Sequence, residues 1–312
     1  MKKIILILIA AILFGTGGCK QNKNIITRNT NGKINVTVTI FPPYDFVRQI
    51  AGDRVNLTML LSPGAESHSY EPSPKDIINV QNSDIFIYVG GNSDYWIGRI
   101  FESMNTDNIK ILAMIDTVDA VEEEIIEGME EGDDEGIEYE EHVWTSPRNT
   151  LMIVGAITGL LCETDPANAV FYQQNAAVYS EELTRLDAAF KAVIAGAKRN
   201  TIVFADRFPF RYFADAYGLV YYAAFPGCST ETEPSAATVA FLINKIKAEK
   251  IPVVFHIELS NERMADAISG ETGAKKLLLH ACHNITKRDF EAGLSYLDFM
   301  RRNVENLREA LN

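Results

Sequence analysis

The stretch from Asp165 to Lys198 constrains the fold more than any other part of the chain. Asn168, Tyr172, Tyr179, Leu183, Leu186 and Phe190 recur near helical spacing, with Glu181, Glu182 and Arg185 between them. Asp165-Pro166 supplies a helix start, with Asp as the cap. One helix over 167–198 would be about 45 Å long, enough to span two lobes. On either side of it, short apolar runs alternate with amphipathic ones. Before it, strands are expected at 34–40, 55–61, 84–89 and 109–114, with helices at 44–51, 74–82, 94–103 and 147–163 between or after them. After it come strands at 201–205, 220–224, 253–257 and 276–279, and helices at 210–217, 234–249, 262–270 and 289–311. Such alternation implies parallel sheets covered by helices. The expected fold is α/β: two Rossmann-like lobes with parallel sheets joined by one long rigid helix.

The first residues read as a targeting segment. Met1-Lys2-Lys3 is a basic start, Ile4 to Phe14 is an uncharged apolar run, and Gly15-Thr16-Gly17-Gly18-Cys19 follows. This is the pattern of a secretory signal, and the apolar run is too short for a stable membrane span. A cysteine directly after two small residues suggests a lipobox, with Cys19 lipidated. Residues 20–34 are polar and aperiodic, as in a flexible tether. The expected organisation is a signal peptide at 1–18, lipidated Cys19 and tether at 19–34, and an N-terminal lobe at 35–166 that includes an acidic loop at 120–141. The linking helix at 167–198 and a C-terminal lobe at 199–312 complete it. The chain would sit outside the cytoplasm, anchored to the outer face of the cell membrane as a lipoprotein, and act as a monomer.

The net charge of −13 is concentrated in one place. Residues 122–141 hold twelve acidic side chains and no Lys or Arg, so the rest of the chain is nearly neutral. That argues against nucleic-acid binding, which needs a basic footprint. The run reads either as a solvated loop or as a cation-collecting one, with Glu130, Glu131, Asp133, Asp134, Glu135, Glu138, Glu140 and Glu141 raising the local cation concentration. Of the four cysteines, Cys228 and Cys282 lie in C-terminal loops and can pair in an oxidising compartment. Cys162 lies in an apolar helical stretch as a buried thiol.

Three of the five histidines stand where an element gives way to a loop, which is where α/β proteins gather ligands. His68 lies in a loop rich in proline and glycine, His142 precedes Val143-Trp144, and His280 ends the run Leu277-Leu278-Leu279. Neutral imidazole suits zinc and other late transition metals. His256 sits inside a strand and reads as a core histidine. His283 reads either as an exposed loop residue or, with Cys282, as a contributor to the metal.

From about residue 35 onward the chain resembles the solute-binding proteins of zinc and manganese ABC importers, the ZnuA/TroA type. The resemblance is carried by Pro63-Gly64 through His68, Tyr70, Glu71, Pro72 and Pro74, and by His142-Val143-Trp144 with Ser146-Pro147. It continues in Asp165-Pro166 with Asn168, Tyr172, Asn175 and Tyr179, and in Tyr217-Gly218-Leu219. It implies two lobes bridged by a helix, a divalent metal held between them by four side chains, and docking on a membrane permease. It places His68 and His142 at the first two ligand positions. At the third it places Arg207, which cannot ligate a cation, with Asp206 beside it as the replacement. The fourth falls on His280. Glu258 is a reserve ligand or an acceptor that orients a ligand histidine. Three imidazoles and a carboxylate favour zinc, whereas Glu258 joining Asp206 would favour manganese or iron. The chain contains neither His-Glu-x-x-His nor Gly-x-Ser-x-Gly, which argues against a zinc hydrolase. A surface adhesin or a binder of an organic solute is the other rival.

Overall fold

The computed structural model describes residues 32–66, 70–91, 94–129, 139–229 and 234–312. Strand β1 (Asn35–Val38) lies at the centre of the first sheet, flanked by β2 (Asn56–Met59) and β3 (Ile85–Tyr88), with β4 (Lys110–Ala113) beyond β3. All pairings in this sheet are parallel, with Val36 opposite both Leu57 and Ile85. Helices α1 (Phe41–Ala51), α2 (Pro74–Gln81) and α3 (Tyr95–Ser103) make the crossovers. Helix α2 is started by a capping box, in which Ser73 accepts from the Asp76 N–H and Asp76 accepts from Ser73. Residues 85–87 (Ile-Phe-Ile) are wholly buried, as expected of a strand covered on both faces.

Helix α4 (Pro147–Thr164) leads through a 3-10 turn at Pro166–Asn168 into α5 (Ala169–Ala195), the expected linking helix. At 27 residues it is about 40 Å long. Tyr172, Tyr179, Leu183, Leu186 and Phe190 form its buried stripe, each contributing roughly 1.5–3 kcal/mol by burial. Asp165 does not cap the helix backbone. Its carboxylate instead accepts from the Tyr172 hydroxyl and the Asn168 amide, both at 2.7 Å.

The second lobe repeats the alternation with shorter strands. Strand β5 (Thr201–Val203) is followed by β6 (Arg207–Phe208), α6 (Arg211–Tyr217), β7 (Val220–Tyr222) and β8 (Phe225–Pro226). Then come α7 (Ala236–Glu249), β9 (Val253–His256), α8 (Arg263–Thr272) and β10 (Lys275–Leu278). The short α9 (Lys287–Glu291) and the terminal α10 (Tyr296–Leu311) close the chain. The β5–β7, β6–β8 and β9–β10 pairs are all parallel, and a bridge between Phe204 and Phe255 joins β5 to β9.

Helices α1, α4 and α10 pack along α5, and one apolar core runs from Val36 of the first lobe to Leu311 of the second. Buried Asp45 of α1 ties the lobes further, because its Oδ2 accepts the Tyr296 N–H at the start of α10 at 2.7 Å. That is a carboxylate at a helix N-terminus, where the dipole favours it. Among the described residues no helix is long and apolar enough to cross a membrane.

Candidate metal centre

The centre is built where three loops meet between the lobes. From the first lobe, Glu140 and His142 lead into the 3-10 turn Val143–Thr145 that starts the descent into α4. Both side chains are almost completely buried. Glu140 Oε1 accepts the backbone N–H of His142 at 2.9 Å and also contacts the imidazole Nδ1. Burial opposes protonation of His142. The charge and hydrogen bond of Glu140, with Glu141 and Glu123 behind it, more than offset that and raise its pKa.

From the second lobe, the loop after β8 brings Cys228 to the same point. One ligand atom each from Glu140, His142 and Cys228 lies within 4.8 Å of the others. Burial pushes the Cys228 thiol well above its ordinary pKa, and the carboxylates of Glu140, Glu141 and Glu123 push in the same direction. The loop after β10 brings His283, whose ring centroid is 4.2 Å from that of His142 and 5.0 Å from that of Trp144, both edge-on.

His283 is held by its backbone. Glu258 Oε1 accepts its N–H at 2.8 Å, and Oε2 accepts the Ala281 N–H at 2.7 Å. The neighbouring Asn284 donates its amide to the carbonyls of Ser62 and Ala65, both at 2.8 Å. It thereby fastens the base of the first lobe's proline-glycine loop to the His283 loop. Two small cavities, both open to solvent, flank the centre, and His283 lines both.

The expected site residues divide as follows. His142 is at the centre. His68 lies outside the described residues, as do Cys19 and the acidic positions Glu130, Glu131, Asp133, Asp134, Glu135 and Glu138. Glu140 and Glu141 differ from the expected solvated acidic loop, being 1% and 2% exposed. They re-enter the core ahead of Val143 and Trp144.

His280 is packed elsewhere. Its ring stacks on Phe299 at 4.1 Å, its Nδ1 accepts the Cys282 N–H at 3.0 Å, and burial lowers its pKa. Asp206 spends its carboxylate on backbone, accepting from Arg207 N–H at 2.9 Å and Ile257 N–H at 3.4 Å, with burial raising its pKa. Arg207 reaches Glu66 of the other lobe at 3.4 Å. Glu258 is the acceptor that fixes a histidine-bearing loop. Cys228 and Cys282 do not pair: both are free thiols, and Cys282 is buried in the core while Cys228 faces Glu140 and His142. Sequence reasoning gave His283 only a secondary part at the metal, placed Glu140 in a metal-recruiting loop rather than at the centre, and missed Cys228 as a donor beside His142.

A sequence profile of the zinc-uptake complex component A periplasmic family, ZnuA, matches residues 36–310. The chain belongs to this family. It is 32% identical over 312 residues to the zinc-binding lipoprotein AdcA of Streptococcus pneumoniae, a match covering 99% of this chain and 61% of that protein. This chain therefore spans about three-fifths of AdcA. It is 29% identical over 310 residues to the high-affinity zinc uptake system protein ZnuA of Bacillus subtilis, covering 98% and 97% of the two. Among solved structures it is similar to the Zn(II)-bound ZnuA-like domain of S. pneumoniae AdcA. The TM-score there is 0.75 at 30% identity, over 90% of this chain and 99% of that one. It is also similar to the metal-dependent lipoprotein YcdH of B. subtilis, with TM-score 0.77 at 29% identity, over 90% and 100%.

One wall of the cavity lined by Tyr70, Trp96 and Trp144 has a pH response of its own. Gly90 and Gly91 follow β3 with φ of 88° and 95°, a conformation that favours glycine. A Cβ on Gly91 would stand 2.7 Å from the Glu141 carboxylate. Asp94 Oδ2 accepts the Val89 and Gly90 N–H groups at 2.9 and 3.1 Å. Burial outweighs these bonds and lifts its pKa to about 6. A carboxyl raised in the folded state stabilises fully below its unfolded pKa of 3.8 and loses that contribution as pH climbs to about 6. Asp94→Asn keeps one acceptor oxygen and cannot ionise. The variant should gain up to about 3 kcal/mol on the wild type between pH 4 and 7. Urea unfolding at several pH values checks this, and parallel pH profiles for the two proteins would contradict it.

Proposed function

We propose that this chain captures a divalent transition metal, zinc first, outside the cytoplasm and delivers it to the permease of an ABC importer. One observation carries the reading: Glu140 and His142 of one lobe meet Cys228 and His283 of the other in the cleft between them. Imidazole nitrogens with few oxygens suit zinc better than manganese, which prefers an oxygen shell. The names of AdcA and of the B. subtilis ZnuA point to the same cargo. In this reading His142 and His283 ligate and Glu140 supplies carboxylate, while His68 stays in the set on its sequence pattern. Glu258 positions His283, and His280 and Asp206 serve the packing of the second lobe. A lipid on Cys19 would keep the protein beside its permease, in keeping with the lipoprotein names of AdcA and YcdH.

Calorimetric titration of the purified protein should give one zinc per chain. Free zinc at 1,000 times the Kd should add about 4 kcal/mol to unfolding stability. Cells lacking the chain should accumulate less zinc when the medium is zinc-poor. A protein that neither binds zinc nor gains stability from it overturns the reading.

A further inference from the structure

The donors at the centre are of three chemical kinds, and the sulfur is the one that changes what the site selects. Cys228 is placed by its own backbone N–H and by the glycine before it. Its own N–H donates to Glu123 Oε1 at 2.8 Å, which anchors the loop to the first lobe. Gly227 before it packs so closely that a Cβ there would lie 2.7 Å from Glu140 Oε2, 2.9 Å from the Phe208 carbonyl and 3.2 Å from His142 Cε1. Only a residue without a side chain lets the loop come that near, and the approach brings the thiol within 4.8 Å of a carboxylate oxygen and an imidazole nitrogen. Glu123 is itself held alongside Glu124, which pairs with Arg211 and with the Tyr221 hydroxyl. The first part of the acidic run is thus a strap laid across the second lobe, and its fixed end locates Cys228.

We infer that Cys228 binds the captured ion as a thiolate, making this a centre for thiophilic divalent ions, zinc among them, and a poor one for manganese. The inference rests on the metal-capture reading proposed above. On binding, the S–H bond breaks as the sulfur–metal bond forms, and the proton passes to solvent. A thiolate at about 2.3 Å from zinc is a strong soft donor, whereas manganese gains little from sulfur. Carboxylate and imidazole alone would leave discrimination to geometry.

Cobalt(II) is the probe, because thiolate ligation gives it an intense charge-transfer absorption in the near ultraviolet. The wild-type protein should show that band with one cobalt bound, and Cys162→Ser and Cys282→Ser should retain it. Cys228→Ser should bind cobalt without the band. The same variant should lose about 10- to 100-fold in zinc affinity, with manganese affinity changed by less than about 3-fold. If Cys228→Ser does not fold, the wild-type band together with its persistence in those two variants and in Cys19→Ser still assigns the sulfur. One cobalt bound with visible d–d absorption and no charge-transfer band overturns the thiolate and leaves metal capture standing. No binding of cobalt or zinc by the wild type overturns both.

Discussion

Replacing His142 by alanine lowers zinc affinity by about 1,000-fold, or roughly 4 kcal/mol. The ring is 0% exposed and lies between Glu140, Trp144 and His283, so its removal takes a donor from the middle of the centre. A ligand residue costs more to remove than the partners that merely orient one, whose loss typically costs 10- to 100-fold. The apo protein suffers as well, because Glu140 is left as a buried carboxylate with one fewer partner. That penalty should be about 1–3 kcal/mol. The pH dependence follows from the raised pKa of His142. Its contact with Glu140 stabilises the metal-free fold fully below pH 6.5 and fades as pH rises through the folded-state value. A metal must displace that proton, so wild-type affinity falls as the solution is acidified, and His142→Ala removes this part of the slope. Competition titration against a zinc chelator at several pH values measures both effects. Unchanged affinity in the variant would remove His142 from the site.

The parts of this molecule that were legible in the sequence are those whose signals are periodic or local. The buried stripe of α5 announces itself through Tyr172, Tyr179, Leu183, Leu186 and Phe190, and the apolar strand 85–87 through its unbroken run. His142 is legible because Val143-Trp144 immediately returns the chain to the core. The remaining donors depend on contacts distant in sequence. Glu140 and Glu141 belong to a run of like charge, which by composition reads as solvated. Their burial follows from what comes after them and from Tyr212, whose hydroxyl donates to the Glu140 carbonyl at 2.9 Å. His280 and His283 are three residues apart on one loop. The choice between them is made by Phe299, which takes the His280 ring, and by Glu258, which takes the His283 N–H. Neither residue is near the loop in sequence. The two-residue strands β6 and β8 are too short for any periodic signal, so the stretches that deliver Arg207 and Cys228 looked like plain loop. The Gly227-Cys228 pair after an apolar stretch was the one available hint.

Trp144→Ala should destabilise the protein by about 4 kcal/mol, the usual scale for emptying a large aromatic from a core. Its ring is 0% exposed, and its surroundings are fixed by the long-range contacts that hold the lobes together. The indole N–H donates to the Ala281 carbonyl at 2.7 Å, and the Trp144 carbonyl accepts from the Tyr296 hydroxyl at 2.7 Å and from Thr150 at 2.9 Å. The ring edge meets His283, so the same side chain fills the core and walls the metal centre. Trp144→Phe separates the two duties. It keeps most of the apolar volume and gives up the hydrogen bond to Ala281, two residues before His283. Its unfolding free energy in urea should drop by about 2 kcal/mol, combining one buried hydrogen bond with a partial cavity. If Trp144 only filled space, the phenylalanine variant would bind zinc as the wild type does. Because its N–H tethers the loop that presents His283, zinc affinity should fall by about 10-fold in a variant that remains folded, the loss expected when a ligand's support is removed.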